Sequence, residues 1–349
     1  MKLHSNTKRL KAITIISTLT LFCSINSFGW GDLGHETTAE IAERLLAEDP
    51  RTMTAIRNII GIEPLALSST WPDKVRDDER FNDFSPYHFY TIFRDPKTFS
   101  EKNAMTVLEK YPNVLTDKKA PQAAKMIALR YIIHVVADIH QPLHVGNEFD
   151  FGGNLCKVRI ESSNSSNGSG ATHKDTKSDQ TLNISNLPNL HSTWDTALVN
   201  IVADRIKSQS EKQIKYFGYK QMAPSLMTKY KDLISAQSNS TTKANRGGVD
   251  VTSWIHESAR LRETVVYPDQ LPDDARPYCL KNSRDIQIQN VPVLNSEYMS
   301  RSADLVEQRL VLGGVRLANM LKKIFSQSRR ATPTENDILN LLKMTSDVH

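Results

Sequence analysis

Histidine and aspartate occur twice in this chain at a spacing of four residues, in His134-x-x-x-Asp138 and in His191-x-x-x-Asp195. In a helix, residues four apart lie on the same face, one turn above the other. An imidazole and a carboxylate so placed can share a hydrogen bond, or they can bind one metal ion, and zinc accepts both donor types. His144 adds a third imidazole close to the first pair. The two pairs together indicate a metal cluster.

The first pair must be positioned by residues 121–141, which contain no interior glycine or proline and are followed by Pro142. We predict one long helix that ends at this proline. From Met126 onward the helix is apolar nearly all round, which is typical of a buried helix. A buried imidazole and carboxylate are costly unless they have partners. A private hydrogen bond or a metal ion would satisfy them, and the additional His144 favours the metal.

Residues 1–29 have the pattern of a secretory signal peptide. Lys2, Lys8, Arg9 and Lys11 form a basic end, and the apolar stretch 12–22 is too short to span a bilayer. Ser27-Phe28-Gly29 places small residues where a signal peptidase cuts. Because no second apolar run reaches spanning length, we expect no membrane span and an exported protein, periplasmic or secreted.

Removal of this segment changes the charge balance. The full chain has 44 Lys and Arg against 39 Asp and Glu, a formal net charge of +5. The signal segment holds four of the basic residues and no acidic one, which leaves 40 against 39 in residues 30–349. Overall basic character therefore gives no argument for nucleic-acid binding. Bound metal cations would instead provide a local positive field.

Two cysteines, Cys156 and Cys279, remain after Cys23 leaves with the signal segment. An even count in an exported chain indicates one disulfide, and two unpaired thiols are the alternative. The processed chain would begin at Trp30, five residues before His35. Its free α-amine and carbonyl could chelate a metal together with His35. A frayed terminus with a packed tryptophan is the alternative.

The remaining pattern predicts a mostly helical, all-α domain over residues 30–325, followed by a C-terminal tail over 326–349. Apolar periodicity predicts helices over 37–46, 190–206, 251–262 and 299–325, and a short tail helix over 335–344. Strands over 156–160 and 181–184 would form one small β-hairpin around the polar insertion 161–180. Residues 235–248 are interpreted as a polar loop.

Several motifs follow one another in a characteristic order: Trp30-Gly-x-x-Gly-His35, Trp71-x-Asp73-x-x-Arg76, His88-Phe89, His134-x-x-x-Asp138-x-x-Gln-Pro-Leu-His144, Gly-Gly-Asn154 and Asn189-Leu-His191-x-x-Trp-Asp195. In this order the chain resembles the zinc-dependent single-strand nucleases of the S1/P1 type, also called class I nucleases or 3′-nucleotidases. Glu257-Ser258 and Gly314-x-Arg-Leu-Ala318 are similar to that family as well. The resemblance covers residues 30–325. It implies an all-α fold of the phospholipase C/nuclease type that holds three zinc ions.

The resemblance also implies a ligand set for each ion. One zinc would be held by Asp73, His88, His134 and Asp138; a second by the Trp30 amine and carbonyl, His35 and a shared oxygen of Asp138; the third by His144, His191 and Asp195. The ligand types agree with zinc chemistry. A bridging carboxylate would allow two cations to lie a few ångströms apart.

The activity implied by the resemblance is hydrolysis of single-stranded DNA and RNA to 5′-nucleotides, with 3′-mononucleotides as further substrates. A zinc-activated hydroxide would attack phosphorus and the 3′-oxygen would leave. Asp73 would orient the nucleophile, and Arg76 would stabilise charge on the phosphoryl oxygens. Phe89 would stack on an unpaired base, with Asn154 as a second substrate-binding residue. No stable protein partner is evident.

Two features depart from the family pattern. Thr91 stands two residues after Phe89, where some relatives carry an aspartate that hydrogen-bonds the base. His140 is an extra histidine between Asp138 and His144, and its helical angle points it away from His134. We therefore leave His140 out of the ligand set, and the base preference stays open.

Two other functions are compatible with parts of the pattern. A zinc-dependent phospholipase C shares the N-terminal tryptophan and much of the ligand order. The Asp73-x-x-Arg76 pair and the aspartate at 195, rather than glutamate, favour the nuclease. A zinc-storage protein would not need Arg76 or Phe89 beside the metals.

Overall fold

The computed structural model describes residues 30–98, 100–161, 183–210, 216–243 and 249–326. Within these ranges the α-helices are α1 (Asp32–Leu46), α2 (Pro50–Ile60), α3 (Leu65–Lys74), α4 (Ala104–Thr116), α5 (Gln122–Asp138), α6 (Leu190–Ser192), α7 (Leu198–Ser208), α8 (Tyr219–Lys229), α9 (Lys231–Lys243), α10 (Val251–Leu261) and α11 (Ser296–Ser326). The mostly helical character is confirmed. The proposed signal segment, residues 162–182 of the insertion and hairpin, and the tail helix lie outside the described residues.

Shorter helical turns connect these helices. The 3₁₀ segments Glu79–His88 and Pro142–His144 each end on a histidine. The predicted helix over 190–206 is divided by a π-turn, Thr193–Ala197, between α6 and α7. A second π-turn, Arg262–Val266, follows α10. Such turns shift the register of a helix by one residue and often occur at functional sites.

The strands form two parallel pairs, and the predicted β-hairpin is not found in the described part of the chain. Strand β1 (Tyr90–Ile92) pairs with β2 (Val145–Asn147), and β3 (Arg159–Ile160) pairs with β4 (Val293–Leu294). The strand predicted over 181–184 is wrong at Ile184, which begins a 3₁₀ turn instead. Parallel strands need a long connection, so their partners lie far away in the sequence.

The core contains two apolar clusters with α1, α5 and α11 at its centre. Helix α1 packs against α3, α5, α8 and α11. The close approach of α1 and α11 depends on Gly314, where an added Cβ would lie 2.6 Å from the side chain of Ile41 and 2.8 Å from the carbonyl of Thr38. This contact holds the helix that carries His35 against the centre of the molecule.

Two boundaries differ from the sequence interpretation. Helix α1 begins at Asp32 rather than at residue 37, so His35 lies inside the helix and not in the segment before it. Residues 231–243 form α9, although 235–248 were interpreted as a loop. Leu233 and Ile234 pack against the core from this polar helix, and α9 contacts α8 and α11. Tertiary contacts here outweigh the weak helix propensity of its serine, asparagine and threonine residues.

Cys156 and Cys279 form a disulfide, as the even cysteine count predicted. The bond links positions 123 residues apart and ties the segment before β3 to the irregular region before α11. Closing so large a loop removes much entropy from the unfolded chain.

We expect the double variant Cys156→Ser, Cys279→Ser to lower the free energy of unfolding by about 2–5 kcal/mol, the usual effect of removing a native disulfide. Denaturant unfolding of both proteins, without reductant, measures this difference. Reduced wild-type protein is the control, because it keeps every side chain and loses only the bond. Equal unfolding midpoints for the oxidised wild type and the double variant would contradict this expectation.

Among the residues that the structure describes, no helix combines the length and apolar character needed to cross a bilayer. The long helices have a polar side or bury their apolar side against the core.

Candidate metal centre

Four elements bring five acidic and histidine side chains together beside the end of α5. Helix α5 provides His134 and Asp138, α1 provides His35, α3 provides Asp73, and the 3₁₀ segment before β1 provides His88. We call these five residues the first cluster. The carboxylate of Asp138 lies at its centre, with Oδ1 3.3 Å from His35 Nε2 and Oδ2 3.0 Å from His134 Nε2 and 3.4 Å from His88 Nδ1.

Asp73 closes the first cluster from the opposite side. Its Oδ1 lies 3.5 Å from His88 Nδ1 and 3.7 Å from His134 Nε2, and its Oδ2 lies 3.9 Å from His35 Nε2. The facing ring nitrogens of His88 and His134 are only 2.8 Å apart. Imidazole nitrogens and carboxylate oxygens therefore converge on one small volume from four elements.

A second cluster consists of His144, His191 and Asp195. His191 Nε2 lies 3.1 Å from Asp195 Oδ2, and the rings of the two histidines are 4.9 Å apart. The clusters adjoin, because Asp138 Oδ1 lies 3.6 Å from His144 Nδ1. The structure thus brings all the histidine and aspartate side chains proposed as ligands into two neighbouring groups.

Backbone carbonyls fix the orientation of three of these imidazoles. The Nδ1 atoms of His134, His144 and His191 lie 2.6, 2.7 and 2.6 Å from the carbonyl oxygens of Ser69, His88 and Gly152. A carbonyl oxygen only accepts, so each Nδ1 carries the proton and donates it. When the ring is neutral, each Nε2 keeps its lone pair inside the site, which is the usual arrangement around a metal-binding histidine.

Gln141, to which the sequence interpretation gave no role, orients Asp195. Its Nε2 donates to Asp195 Oδ1 at 2.6 Å, and its Oε1 accepts from the backbone N–H of Leu143 at 2.6 Å. The other oxygen of Asp195 is the one next to His191. Only the position of Gln141 in the motif before His144 could have suggested this contact.

The donor set fits zinc. Both ring nitrogens of His35, both oxygens of Asp138, Asp73 Oδ1 and His144 Nε2 are buried and have no partner with hydrogen-bond geometry among the described residues. Leaving such groups unsatisfied costs about 1–3 kcal/mol each. A simple His–Asp hydrogen bond therefore does not account for the site. Cations with imidazole and carboxylate ligands would satisfy these lone pairs together.

Burial and neighbouring charges shift the pKa values of three groups in the two clusters. Burial lowers the pKa of His144 to about 4, which keeps this imidazole neutral. Burial raises the pKa of Asp195 to about 6. At His134 burial acts against protonation, but the carboxylates of Asp138 and Asp73 outweigh it and raise the pKa to about 9. The paired carboxylates thus attract positive charge strongly.

The start of the described chain is packed against both clusters. Trp30 is fully buried, and its indole Nε1 donates to the carbonyl of Ala137 at 2.9 Å, next to Asp138. The backbone N–H of Gly31 donates to the carbonyl of Asp195 at 2.9 Å. Trp30 is thus held in place on this side of the centre.

A cleft of about 530 Å³ opens onto the centre. It is lined by Arg76, His88, Phe89, Thr91, Phe93, Leu143, His144, Gly146, Asn147, Glu148, Phe151, Gly152, Asn154, Leu155 and His191. The proposed catalytic Arg76 and the proposed substrate-binding Phe89 and Asn154 therefore face the same space as ligands of both clusters. Phe89 is 39% exposed.

Phe151 is a cleft residue that sequence reasoning missed. Its side chain is 60% exposed and its backbone is left-handed, with φ of 52°, as are Gly152 and Gly153 after it. A Cβ on Gly152 would lie 2.4 Å from the carbonyl oxygen of Leu143, so only glycine fits there. Asn154 Nδ2 donates to the carbonyl of Phe151 at 2.8 Å. Asn154 thereby supports the conformation that presents Phe151 to the cleft.

His140 lies outside both clusters, where the sequence interpretation placed it. It is buried; its Nδ1 donates to the carbonyl of Val136 at 2.6 Å, and its Nε2 lies 3.0 Å from an Arg316 nitrogen. Glu257 binds Arg316 and Arg309 at 2.6 and 3.0 Å. These residues join α5, α10 and α11 behind the metal centre.

Comparison with known proteins agrees with this arrangement. The family model described as S1/P1 Nuclease matches residues 30–326. Nuclease S1 of Aspergillus oryzae is 27% identical over 334 residues, covering 89% of this chain and 97% of that protein. Endonuclease 3 of Arabidopsis thaliana is 27% identical over 338 residues, covering 90% and 96%. Nuclease P1 of Penicillium citrinum is 22% identical over 312 residues, covering 84% and 97%. The chain therefore belongs to the S1/P1 nuclease family, zinc-dependent hydrolases that cleave single-stranded nucleic acids.

Proposed function

We propose that this protein is an exported nuclease that holds three zinc ions, cleaves single-stranded DNA and RNA to 5′-nucleotides, and also removes phosphate from 3′-mononucleotides. The observation that carries the proposal is the position of two adjoining histidine–aspartate clusters at an aromatic cleft that also contains Arg76. Export would follow cleavage after Gly29.

Three ions would use the clusters as follows. Asp73, His88, His134 and Asp138 would hold one, and His35 with Asp138 and the freed terminus of Trp30 would hold a second. His144, His191 and Asp195 would hold the third. Asp138 could serve the first two ions together, because its two oxygens lie within 3.4 Å of His35, His88 and His134. When bound, zinc would supply an activated water and Lewis-acid stabilisation of phosphoryl oxygens.

The side chains around the cleft would bind the phosphate, orient the attacking water and stack on the bases. Arg76 would bind the phosphoryl oxygens through charge-assisted hydrogen bonds, which strengthen as charge develops on them. Asp73, whose Oδ1 has no hydrogen-bond partner among the described residues, would accept a hydrogen bond from the attacking water and orient it. Phe89 and Phe151 offer exposed rings on which bases can stack. A paired base has no free face, so stacking favours single strands.

The test is incubation of protein beginning at Trp30 with single-stranded DNA, RNA, 3′-AMP and lecithin, each with and without chelator. We expect cleavage of the first three, 5′-phosphate ends on the polymers, loss of activity with chelator and recovery with zinc. Elemental analysis should give three zinc ions per chain. Hydrolysis of lecithin alone would indicate a phospholipase, and tightly bound zinc without any hydrolysis would indicate storage. A stable content of one zinc in active enzyme would overturn the three-ion assignment.

Substitutions at Phe89 and Arg76 should separate binding from turnover. We expect Phe89→Ala to weaken binding of single-stranded DNA by roughly 1–3 kcal/mol, the usual value of one base–aromatic stack, with a raised KM. Arg76→Ala should lower kcat by roughly 10²- to 10³-fold, because it removes a donor to developing charge. Steady-state kinetics on one oligonucleotide measures both. Equal effects on KM with unchanged kcat would contradict these roles.

A further inference from the structure

One side chain in the cleft has the wrong charge for a polyanion site. Among the described residues that line the cleft, Glu148 alone carries a carboxylate. A negative group repels phosphate and lowers the local concentration of a nucleic acid. It therefore needs a partner in the substrate that donates hydrogen bonds. The ionised phosphates of a nucleic acid have no hydrogen-bond donor. Its donors are the hydroxyl groups of the sugar and the N–H groups on the edges of the bases.

The sheet places Glu148 beside the aromatic side of the cleft. Phe89, Thr91 and Phe93 alternate along one chain segment and all line the cleft; we call them the aromatic strip. Thr91 pairs with Gly146 and Ile92 with Asn147 in the parallel β1–β2 pair. Continuing this register sets Glu148 next to Phe93. A base stacked at the Phe93 end of the aromatic strip would therefore lie beside Glu148.

The contacts around Glu148 leave its carboxylate available to a ligand. Its Oε1 has a long contact, 3.4 Å, with the backbone N–H of Arg94. The guanidinium of Arg94 instead binds Asp274 at 2.9 Å and lies 4.4 Å from the ring of Phe149. Neighbouring Asn147 differs, because its amide oxygen already accepts from the backbone of Phe149 at 2.8 Å. Glu148 is thus a weakly engaged acceptor in the cleft.

We propose that Glu148 is a specificity-determining residue that reads the Watson–Crick edge of the stacked base and favours guanine. This inference rests on the proposed nuclease function. An ionised carboxylate only accepts hydrogen bonds. Guanine presents two neighbouring donors, N1–H and the N2 amino group, to its two oxygens. Adenine and cytosine present one amino donor beside a ring-nitrogen acceptor, and thymine or uracil presents one N–H between two carbonyls. These bases would meet repulsion as well as attraction.

The experiment uses oligothymidylates that carry guanine, hypoxanthine, adenine or cytosine at one central position. Hypoxanthine is guanine without the N2 amino group, so it removes one donor and keeps the ring. For wild-type protein we expect cleavage next to guanine to exceed cleavage next to hypoxanthine by roughly 10- to 150-fold in kcat/KM, as for one hydrogen bond to a charged group. In the Glu148→Gln variant this ratio should fall close to one.

Glu297→Gln is the matched control, because it makes the same chemical change on the exposed first turn of α11. It should keep the wild-type ratio. Thermal unfolding and zinc content should be the same for the three proteins, since the contact that Glu148 makes among the described residues is a long one, with the backbone of Arg94. Equal guanine and hypoxanthine rates in the wild type, or an unchanged ratio in Glu148→Gln, would overturn the role of Glu148. Absence of cleavage at every base by the wild type would overturn the nuclease function itself.

Discussion

Asp138→Asn is expected to abolish nuclease activity and to lower the zinc content of the purified protein. The carboxylate of Asp138 is fully buried and lies within 3.6 Å of nitrogens from four histidines. In the part of the chain that the structure describes, neither of its oxygens has a partner with hydrogen-bond geometry. Asparagine keeps the shape but offers one neutral acceptor oxygen and an N–H₂ group that cannot bind a cation.

We expect weaker zinc binding because the substitution removes the negative charge of Asp138 from a buried site. Breaking a buried ion pair in this way costs about 3–5 kcal/mol, which corresponds to roughly 10²- to 10⁴-fold weaker cation binding. Elemental analysis after dialysis and chelator competition measure the binding, and hydrolysis of single-stranded DNA measures the activity. Chelator competition does not depend on turnover, so it separates lost metal from lost chemistry.

His140→Gln is the control for this variant, since it changes a buried histidine two residues away that contacts neither cluster. His140 accepts from Arg316 and donates to Val136, so its replacement should lower the unfolding temperature. The zinc content should stay at the wild-type value. If His140→Gln lost more zinc than Asp138→Asn, the register that we assign to the end of α5 would be wrong.

Local sequence rules predicted the two helices that carry the His-x-x-x-Asp pairs proposed as metal ligands. The helix over 121–141 is observed as α5, Gln122–Asp138, because its apolar character and terminal proline act within the segment itself. The spacing of His134 and Asp138 then follows from helix geometry. Family resemblance contributed the remaining assignments, since Asp73 and His88 have no such spacing to mark them.

The parts that the sequence did not predict depend on contacts between distant segments. Strand β1 finds its partner 55 residues away, and β3 finds its partner 134 residues away, so neither pairing has a local signal. Helix α9 is stabilised by its contacts with α8 and α11 rather than by its polar composition. Phe151 adopts a conformation that non-glycine residues rarely take, and the contact that supports it comes from the side-chain amide of Asn154.

The second large effect concerns the residue at which the active chain begins. A free α-amine at Trp30 can donate its lone pair to a metal, whereas the nitrogen of a peptide bond cannot, because its lone pair is delocalised into the carbonyl. Trp30 is buried with its indole bound to Ala137, and Gly31 is bound to Asp195. These contacts fix the terminus without using its amine. Export with signal cleavage would then be the step that completes the site.

The test compares two proteins that differ by one residue at the N-terminus. After removal of a tag, one protein begins at Trp30 and the other begins with a single glycine before Trp30. We expect the glycine-extended form to bind the ion associated with His35 at least about 100-fold more weakly, since even an outer contact to a ligand contributes 10- to 100-fold. It should hold one zinc ion fewer and lose most activity on single-stranded DNA.

The extended form should keep the same thermal unfolding in the presence of chelator, because the indole and Gly31 contacts do not involve the amine. Equal zinc content and equal cleavage rates in the two forms would show that the terminal amine is not a ligand.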